Sequence, residues 1–451
     1  MLRELDKFRN RARRDVMGWI AYDWANSGFT TTVITVLAGP YLTALAQSDV
    51  GRNGVVAALG PFGSITALSF FPFCISASVV LEVLLLPPLG AIADYSGTRK
   101  TLMAAFCYAG VAATCLMFFV TGHRYLLGGL LLVLANFASG VTIVLYNAFL
   151  NDIATERERD RISTEGYAAG YLGGGLLLAA NLALVGAAHR IGVSTELAVR
   201  ISLLSAGVWW GAFASITFAC LPERPPAHPN GPRRSYVAIG FSELRALCRQ
   251  LRRLPHTSRF LVAYTTFNDA ILTVIAVASV FLAQELFVAR GLPTDETFLM
   301  GLILVVQFVA CAGALLFNRV ADAVTTKTAI LLSLVVWIGI VLYAYGALHT
   351  VTQAWIMGVV LATVLGGSQA LSRSLFSRMI PEGHEAAFFG LYELTESTSW
   401  VGPFLFGFVA SVTGSYREAI LSLVVLFIAG FVMLLLTDTR RAIDDAAHRG
   451  W

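Results

Sequence analysis

Charge is scarce in this chain of 451 residues: 13% are Asp, Glu, Lys or Arg, against 57% hydrophobic. An ordinary soluble domain carries about 25% charged residues, so these few could not cover a water-facing surface. The apolar residues run instead in blocks of roughly 20 or more, the length needed to cross about 30 Å of hydrocarbon at 1.5 Å per residue. Paired-cysteine chemistry is missing too. Cys74, Cys107, Cys115, Cys220, Cys248 and Cys311 are scattered, mostly inside apolar stretches, with no CxxC pair and no metal-ligand spacing. They read as small hydrophobes. No basic stripe with interleaved aromatics appears, so nucleic acid is not an expected partner. No metal motif, nucleophile elbow or nucleotide loop is present either, so neither an enzyme nor a cofactor is expected.

What is present is a series of apolar spans. Hydropathy and chain breakers place them near 17–45, 66–92, 101–121, 126–149, 164–188 and 199–221. Six more fall near 258–287, 297–317, 327–347, 353–377, 386–412 and 418–436. The first imitates a secretory signal ending at Ala44-Leu45-Ala46, but it is twice the usual length and holds Asp23 and Asn26. It is read as a membrane helix. Of the 32 Lys and Arg, 25 fall in segments on the side of the termini, 6 on the other side, and Arg373 lies inside a span. This asymmetry predicts both termini in the cytoplasm, and a bacterial inner membrane is the expected location.

Residues 222–257 divide the chain. A Pro-rich run, LPERPPAHPNGP, cannot stay helical. After it, FSELRALCRQLRRL sets Phe241, Leu244, Leu247, Leu251 and Leu254 opposite four arginines, as in a helix lying on the inner leaflet. The flanking halves, 1–221 and 258–451, repeat. GAIADYSGTRKTLM (Gly90–Met103) aligns with NRVADAVTTKTAIL (Asn318–Leu331), setting Asp94 over Asp322 and Arg99 over Lys327. Tyr22-x-x-x-Asn26 aligns likewise with Tyr264-x-x-x-Asn268. Both matches respect a six-helix offset, as a duplicated bundle requires.

The run Gly90-x-x-x-Asp94-x-x-Gly97-x-Arg99-Lys100 falls between the second and third spans. It resembles the signature loop of the major facilitator superfamily, with Thr98 where many members have a basic residue. The resemblance implies an all-α integral membrane protein with twelve transmembrane helices in two pseudo-symmetric six-helix bundles. It also implies that Asp94 faces the start of the eleventh helix, whose dipole favours a carboxylate. Gly90, Asp94, Gly97, Arg99, Lys100, Asp322 and Lys327 form the expected cytoplasmic gate. Asp152, Glu156, Arg157 and Arg161 read as a solvated network beside it.

A narrower likeness covers nearly the whole chain. YDWANSGFTTTVITV (Tyr22–Val36), YNAFLNDIA (Tyr146–Ala154), GYLGGG (Gly170–Gly175), GGSQALSRSLFSRMIP (Gly366–Pro381) and FFGLYEL (Phe388–Leu394) resemble one branch of that superfamily. It contains the fungal vacuolar amino-acid effluxers linked to autophagy and their bacterial relatives. Phe267-Asn268-Asp269-Ala270 stands where relatives show Tyr-Asn-Asp-Gly.

Ionisable residues inside spans are costly unless paired or hydrated, so they are candidates for function. Asp23 with Asn26, and Asp269 with Asn268, lie on equivalent helices that line the central cavity in this superfamily. Glu82 is a candidate proton carrier or ammonium site. Arg373 is expected to pair with Glu393 or Glu396 on the neighbouring helix. Tyr22, Tyr146, Asn147 and Gln369 are candidates for shaping the pocket, alongside Trp24. The small residues of GYLGGG let the fifth helix approach a neighbour closely. Together these point to a proton-coupled transporter of an amino acid or similar small zwitterion, monomeric by default. A lipid or lysolipid transporter and a non-transporting sensor are the rival readings.

Overall fold

The computed structural model describes residues 2–51, 54–58, 64–223, 247, 249–397, 399 and 401–448, with the backbone alone for 2–11, 396 and 397. The first crossing is longer than its apolar core. α1 (Leu2–Phe29) runs through a π-helical stretch (Thr30–Leu37) into α2 (Ala38–Val50). A short antiparallel hairpin follows, β1 (Val55–Ala58) on β2 (Ser64–Thr66). Then come α3 (Phe70–Ser96), α4 (Arg99–Leu116), α5 (Tyr125–Ala148), the single turn α6 (Leu150–Ile153), α7 (Arg159–Ala187) and α8 (Thr195–Cys220). The second half holds α9 (Pro255–Leu286), α10 (Glu296–Ala323), α11 (Thr326–Gly346) and α12 (Val351–Ser377). It ends with α13 (Glu385–Ser397), α14 (Val401–Thr413), α15 (Tyr416–Ser422), α16 (Val424–Leu436) and α17 (Thr439–His448).

Among the described residues, eleven helical segments are long and apolar enough to cross a membrane. The span expected at 386–412 departs from this: it comes as two shorter helices, α13 and α14. Polar residues explain the interruption. Glu393, Thr395 and Glu396 end one piece, and Gly402-Pro403 opens the next, where proline's missing N–H is an orphan donor in any case. Half of the amphipathic stretch 241–254, residues 241–246 and 248, lies outside the described residues. Its last part, 249–253, is helical, and Leu247 and Leu254 are buried.

Cations staple corresponding helix pairs in the two halves. Near the termini, Lys100 Nζ donates to the Leu221 carbonyl at the end of α8 (2.8 Å). Lys327 Nζ donates to the carbonyls of Leu435 (2.9 Å) and Thr437 (2.8 Å) at the end of α16. At the opposite face, Arg200 reaches the Phe118 carbonyl beyond α4 (2.5 Å), and Arg417 reaches the Tyr345 carbonyl at the end of α11 (2.8 Å). In each case a cation meets the negative, unsatisfied end of a helix.

These staples correct the alignment of the repeats. Lys327 does the work of Lys100, not of Arg99. The helix starts give the reason: α4 is capped by Thr98 and α11 by Thr325, so each lysine is two residues past its cap. Neither lysine joins an acid–base cluster, and Asp322 is exposed with no ion pair among the described residues.

Glycines set how closely helices approach. The GYLGGG run lies on α1: a Cβ on Gly173 would stand 2.8 Å from the Trp24 carbonyl oxygen, and one on Gly174 3.0 Å from that of Ser27. Gly313 of α10 is as tight, its Cβ position being 2.4 Å from the Thr363 carbonyl oxygen on α12. Backbone cannot yield there as a flexible side chain would. We predict that Gly313→Ala lowers stability by about 1–3 kcal/mol through overpacking. Gly339→Ala, where no atom lies within 4 Å, should leave the unfolding midpoint in detergent unchanged; equal midpoints for the two variants would refute the prediction.

Candidate functional site

Arg373, on α12, is buried at 3% exposure and projects into the first half of the molecule. Its Nη2 donates to Asp23 Oδ2 on α1 (3.2 Å) and to the Ser163 carbonyl on α7 (2.9 Å). Nε donates to Ser163 Oγ (2.9 Å), and Nη1 to Asn147 Oδ1 on α5 (3.3 Å). Three rings enclose the guanidinium, with centroids 4.7 Å away for Trp19, 4.3 Å for Tyr167 and 5.6 Å for Tyr146. Delocalised, weakly hydrated charge suits an aromatic box of this kind. Asp23 accepts a second bond, from the Tyr146 hydroxyl (2.7 Å), and Trp19 Nε1 holds the Tyr146 carbonyl (2.9 Å).

Of the two partners the sequence suggests for Arg373, Glu393 gives way to Asp23, and the side chain of Glu396 lies outside the described residues. Both were chosen as neighbours on the adjacent helix, but Arg373 faces across to the other half. Gly166 makes room for this arrangement: a Cβ there would lie 2.5 Å from Asp23 Oδ2 and 3.1 Å from Arg373 Nη2. Ser163 and Tyr167 were not anticipated. Gly166 and Tyr167 follow Ser163 at three and four residues, which marks one face of α7. A pattern of hydroxyl, glycine and aromatic on that face was the available signal.

A second cluster lies closer to the termini. Arg99, 1% exposed, bonds Asp94 (2.5 Å), Asp152 (3.2 Å) and Glu385 at the start of α13. Asp94 also accepts from the backbone N–H groups of Ala386 (3.2 Å) and Ala387 (3.0 Å). One cation thus meets three carboxylates. The free N–H groups and positive end of α13 help to offset the excess negative charge. Gly97 turns with φ 66°, as a loop glycine does. Gly90 does not turn at all. It lies within α3, and its Cβ position is 2.3 Å from the Ala386 carbonyl oxygen, so it is needed for close approach. Asp152, grouped in the sequence with solvated loop residues, belongs to this buried cluster.

A third cluster repeats the second with its charges exchanged. Asp160, in the first turn of α7, accepts from Thr326 Oγ1 (2.6 Å) and Ser374 Oγ (2.6 Å) and pairs with Arg378 (2.8 Å). Asp160 and Glu385 are corresponding residues, each acidic in the first turn of the helix that starts beside the other half. Neither acid was singled out from the sequence, although the six-helix offset pairs them.

The remaining candidates are dispersed. Tyr22 is wholly buried in the first half, where Trp210 Nε1 donates to its hydroxyl (3.4 Å). Asn26 accepts from Ser139 (3.0 Å), apart from the Asp23 cluster. Glu82, 3% exposed, accepts from Asn136 (3.4 Å). Gln369 accepts from Tyr171 across the halves (3.0 Å). Asp269 accepts from Ser399 and from the Gly402 N–H (2.9 Å), and so caps the broken start of α14. Asn268 is fully buried, and neither amide atom has a hydrogen-bond partner among the described residues. Glu393 is buried, and the side chain of Glu396 lies outside the described residues.

Known proteins resemble this chain in sequence and in architecture. The profile of a family described as "Vacuole effluxer Atg22 like" matches residues 11–447. The uncharacterized MFS-type transporter YxiO of Bacillus subtilis is 29% identical, covering 94% of this chain and 95% of its own. Autophagy-related protein 22-1 of Aspergillus niger is 24% identical, covering 98% and 91%. Among solved structures, the human organic anion transporter MFSD10 (TETRAN) aligns with TM-score 0.66 at 13% identity over 94% of this chain and 99% of its own. The major facilitator transporter FucP in the outward conformation gives 0.67 at 10% identity over 94% and 98%. At such low identity these two structures speak for the fold alone. The chain belongs to the Atg22-like vacuole effluxer family, and it is an integral membrane transporter with the major facilitator fold.

Proposed function

We propose that the protein carries a small amino acid, or a comparable zwitterion, by alternating access between the units 1–221 and 258–451, with a proton as the coupling ion. The Asp23–Arg373 pair across the two units is the observation that carries this reading. A zwitterion can enter the pair without leaving either charge bare: its carboxylate takes the Arg373 fork, and its ammonium meets Asp23. Protonation of Asp23 instead removes the carboxylate charge and weakens its hold on Arg373, which links the proton to the opening of the site. The rings of Trp19, Tyr146 and Tyr167 bound the space around the guanidinium and favour a small ligand. Both termini face the cytoplasm in this proposal, so the Arg99 and Asp160 clusters close the cytoplasmic side. Arg373 lies five residues further in than Arg378, about 7 Å of helix rise.

One observation favours a second reading, transport of a lysolipid. A largely apolar groove of about 600 Å³ opens between α2, α7, α8 and α10, lined by Leu45, Leu182, Val185 and Met300 among others. A short acyl chain would fit it.

Two predictions distinguish these readings. In proteoliposomes with an imposed pH gradient, wild type should accumulate a labelled amino acid, and Asp23→Asn should lose the dependence on the gradient. If no amino acid moves but a fluorescent lysolipid does, the second reading replaces the first. Arg373→Lys keeps the charge but loses the planar fork that holds Asp23, Ser163 and Asn147 together. Amino-acid flux should fall at least about tenfold, corresponding to one lost charge-assisted hydrogen bond; flux at the wild-type rate would rule out Arg373 as the ligand's anchor.

A further inference from the structure

A cavity of about 490 Å³ lies on the side of the termini, away from the Asp23–Arg373 pair. Its walls come from the start of α11, the end of α12, the end of α16 and the start of α17. Three cations line it, Lys327, Arg378 and Arg440, against one acid, Asp438. That acid is already engaged: it accepts from the Arg441 N–H (3.1 Å) and pairs with the Arg441 side chain (3.2 Å). Lys327 spends two of its three N–H bonds on neutral carbonyls and forms no ion pair among the described residues. Arg378 has a buried Nε with no hydrogen-bond partner among the described residues. The orphan backbone N–H groups at the start of α11 add further positive potential. Leu435 and Leu436 also line the cavity and are exposed at 52% and 70%, so one wall opens toward lipid.

We propose that this cavity binds a phosphate-class anion that competes with Asp160 for Arg378 and Thr326. Both residues line the cavity, and both hold Asp160 across the two halves in the closed arrangement. When the halves separate on this side, Asp160 leaves with α7 and the cavity keeps its cations without that counter-charge. An anion then takes the vacated place. Binding is therefore tighter in the open state, and by reciprocity the anion favours opening. The same chemistry is offered by a phospholipid headgroup and by free phosphate.

The test uses the full chain in phosphatidylcholine nanodiscs, with the thermal unfolding midpoint followed in two titrations. One adds inorganic phosphate to the solution, and the other replaces neutral lipid with phosphatidylglycerol. A rise with phosphatidylglycerol alone identifies a headgroup as the ligand, a rise with phosphate alone a soluble anion, and a rise with both the shared chemistry. Lys327→Gln with Arg440→Gln should weaken the response about tenfold, since each cation near the surface contributes to anion binding. Arg440→Gln alone, at an exposed position, keeps the Lys327 staple and should weaken it about threefold. Asp160→Asn should bind at least about threefold more tightly. No response in either titration, or cation variants that titrate like wild type, would overturn the site. Unchanged binding by Asp160→Asn would overturn the competition.

Discussion

The bond from Arg373 to Asp23 joins the two halves of the molecule at a depth where neither charge can be left alone. Burying an ion costs several kcal/mol even after relaxation, and breaking a buried pair by removing one partner costs about 3–5 kcal/mol. Everything around Arg373 follows from this cost. Ser163 and Asn147 take its remaining donors, three rings cover its faces, and Gly166 leaves the space it needs.

The Arg99 and Asp160 clusters close the same end of the molecule and show duplication with divergence. In both, an acid in the first turn of one half's helix meets a cation of the other half. The cation has moved from the start of a helix, Arg99 on α4, to the end of one, Arg378 beyond α12. The geometry of the lock survives because a charge can reach the same acid from either side of the loop. The staples made by Lys100 and Lys327, by contrast, stay within their halves and tie neighbouring helices together.

The candidates brought together in space come from three helices, α1, α5 and α12. Asp23, Tyr146, Asn147 and Arg373 converge, whereas Asn26, Glu82, Gln369 and Asp269 find separate partners. Residue type alone could not sort them. An acid in an apolar span reads the same whether it caps a broken helix, as Asp269 does, or locks the halves, as Asp23 does. Only the direction of the side chain separates the two cases, and that is set by helix packing.

The sequence by itself determined the class of molecule: its low charge and long apolar blocks demand a membrane, and its two repeats carry the signature of the fold. It also determined which residues are costly enough to need a purpose, since any charge inside a span must find compensation. The tertiary structure decided which compensation each one finds. Arg373 was expected to turn to acids on a neighbouring helix of its own half, yet it crosses to Asp23. Lys327, aligned with Arg99, repeats the staple of Lys100. Helix packing fixes those directions, through glycines that let backbones meet and caps that set where each helix begins, and pairings between distant segments cannot be read from spacing along the chain.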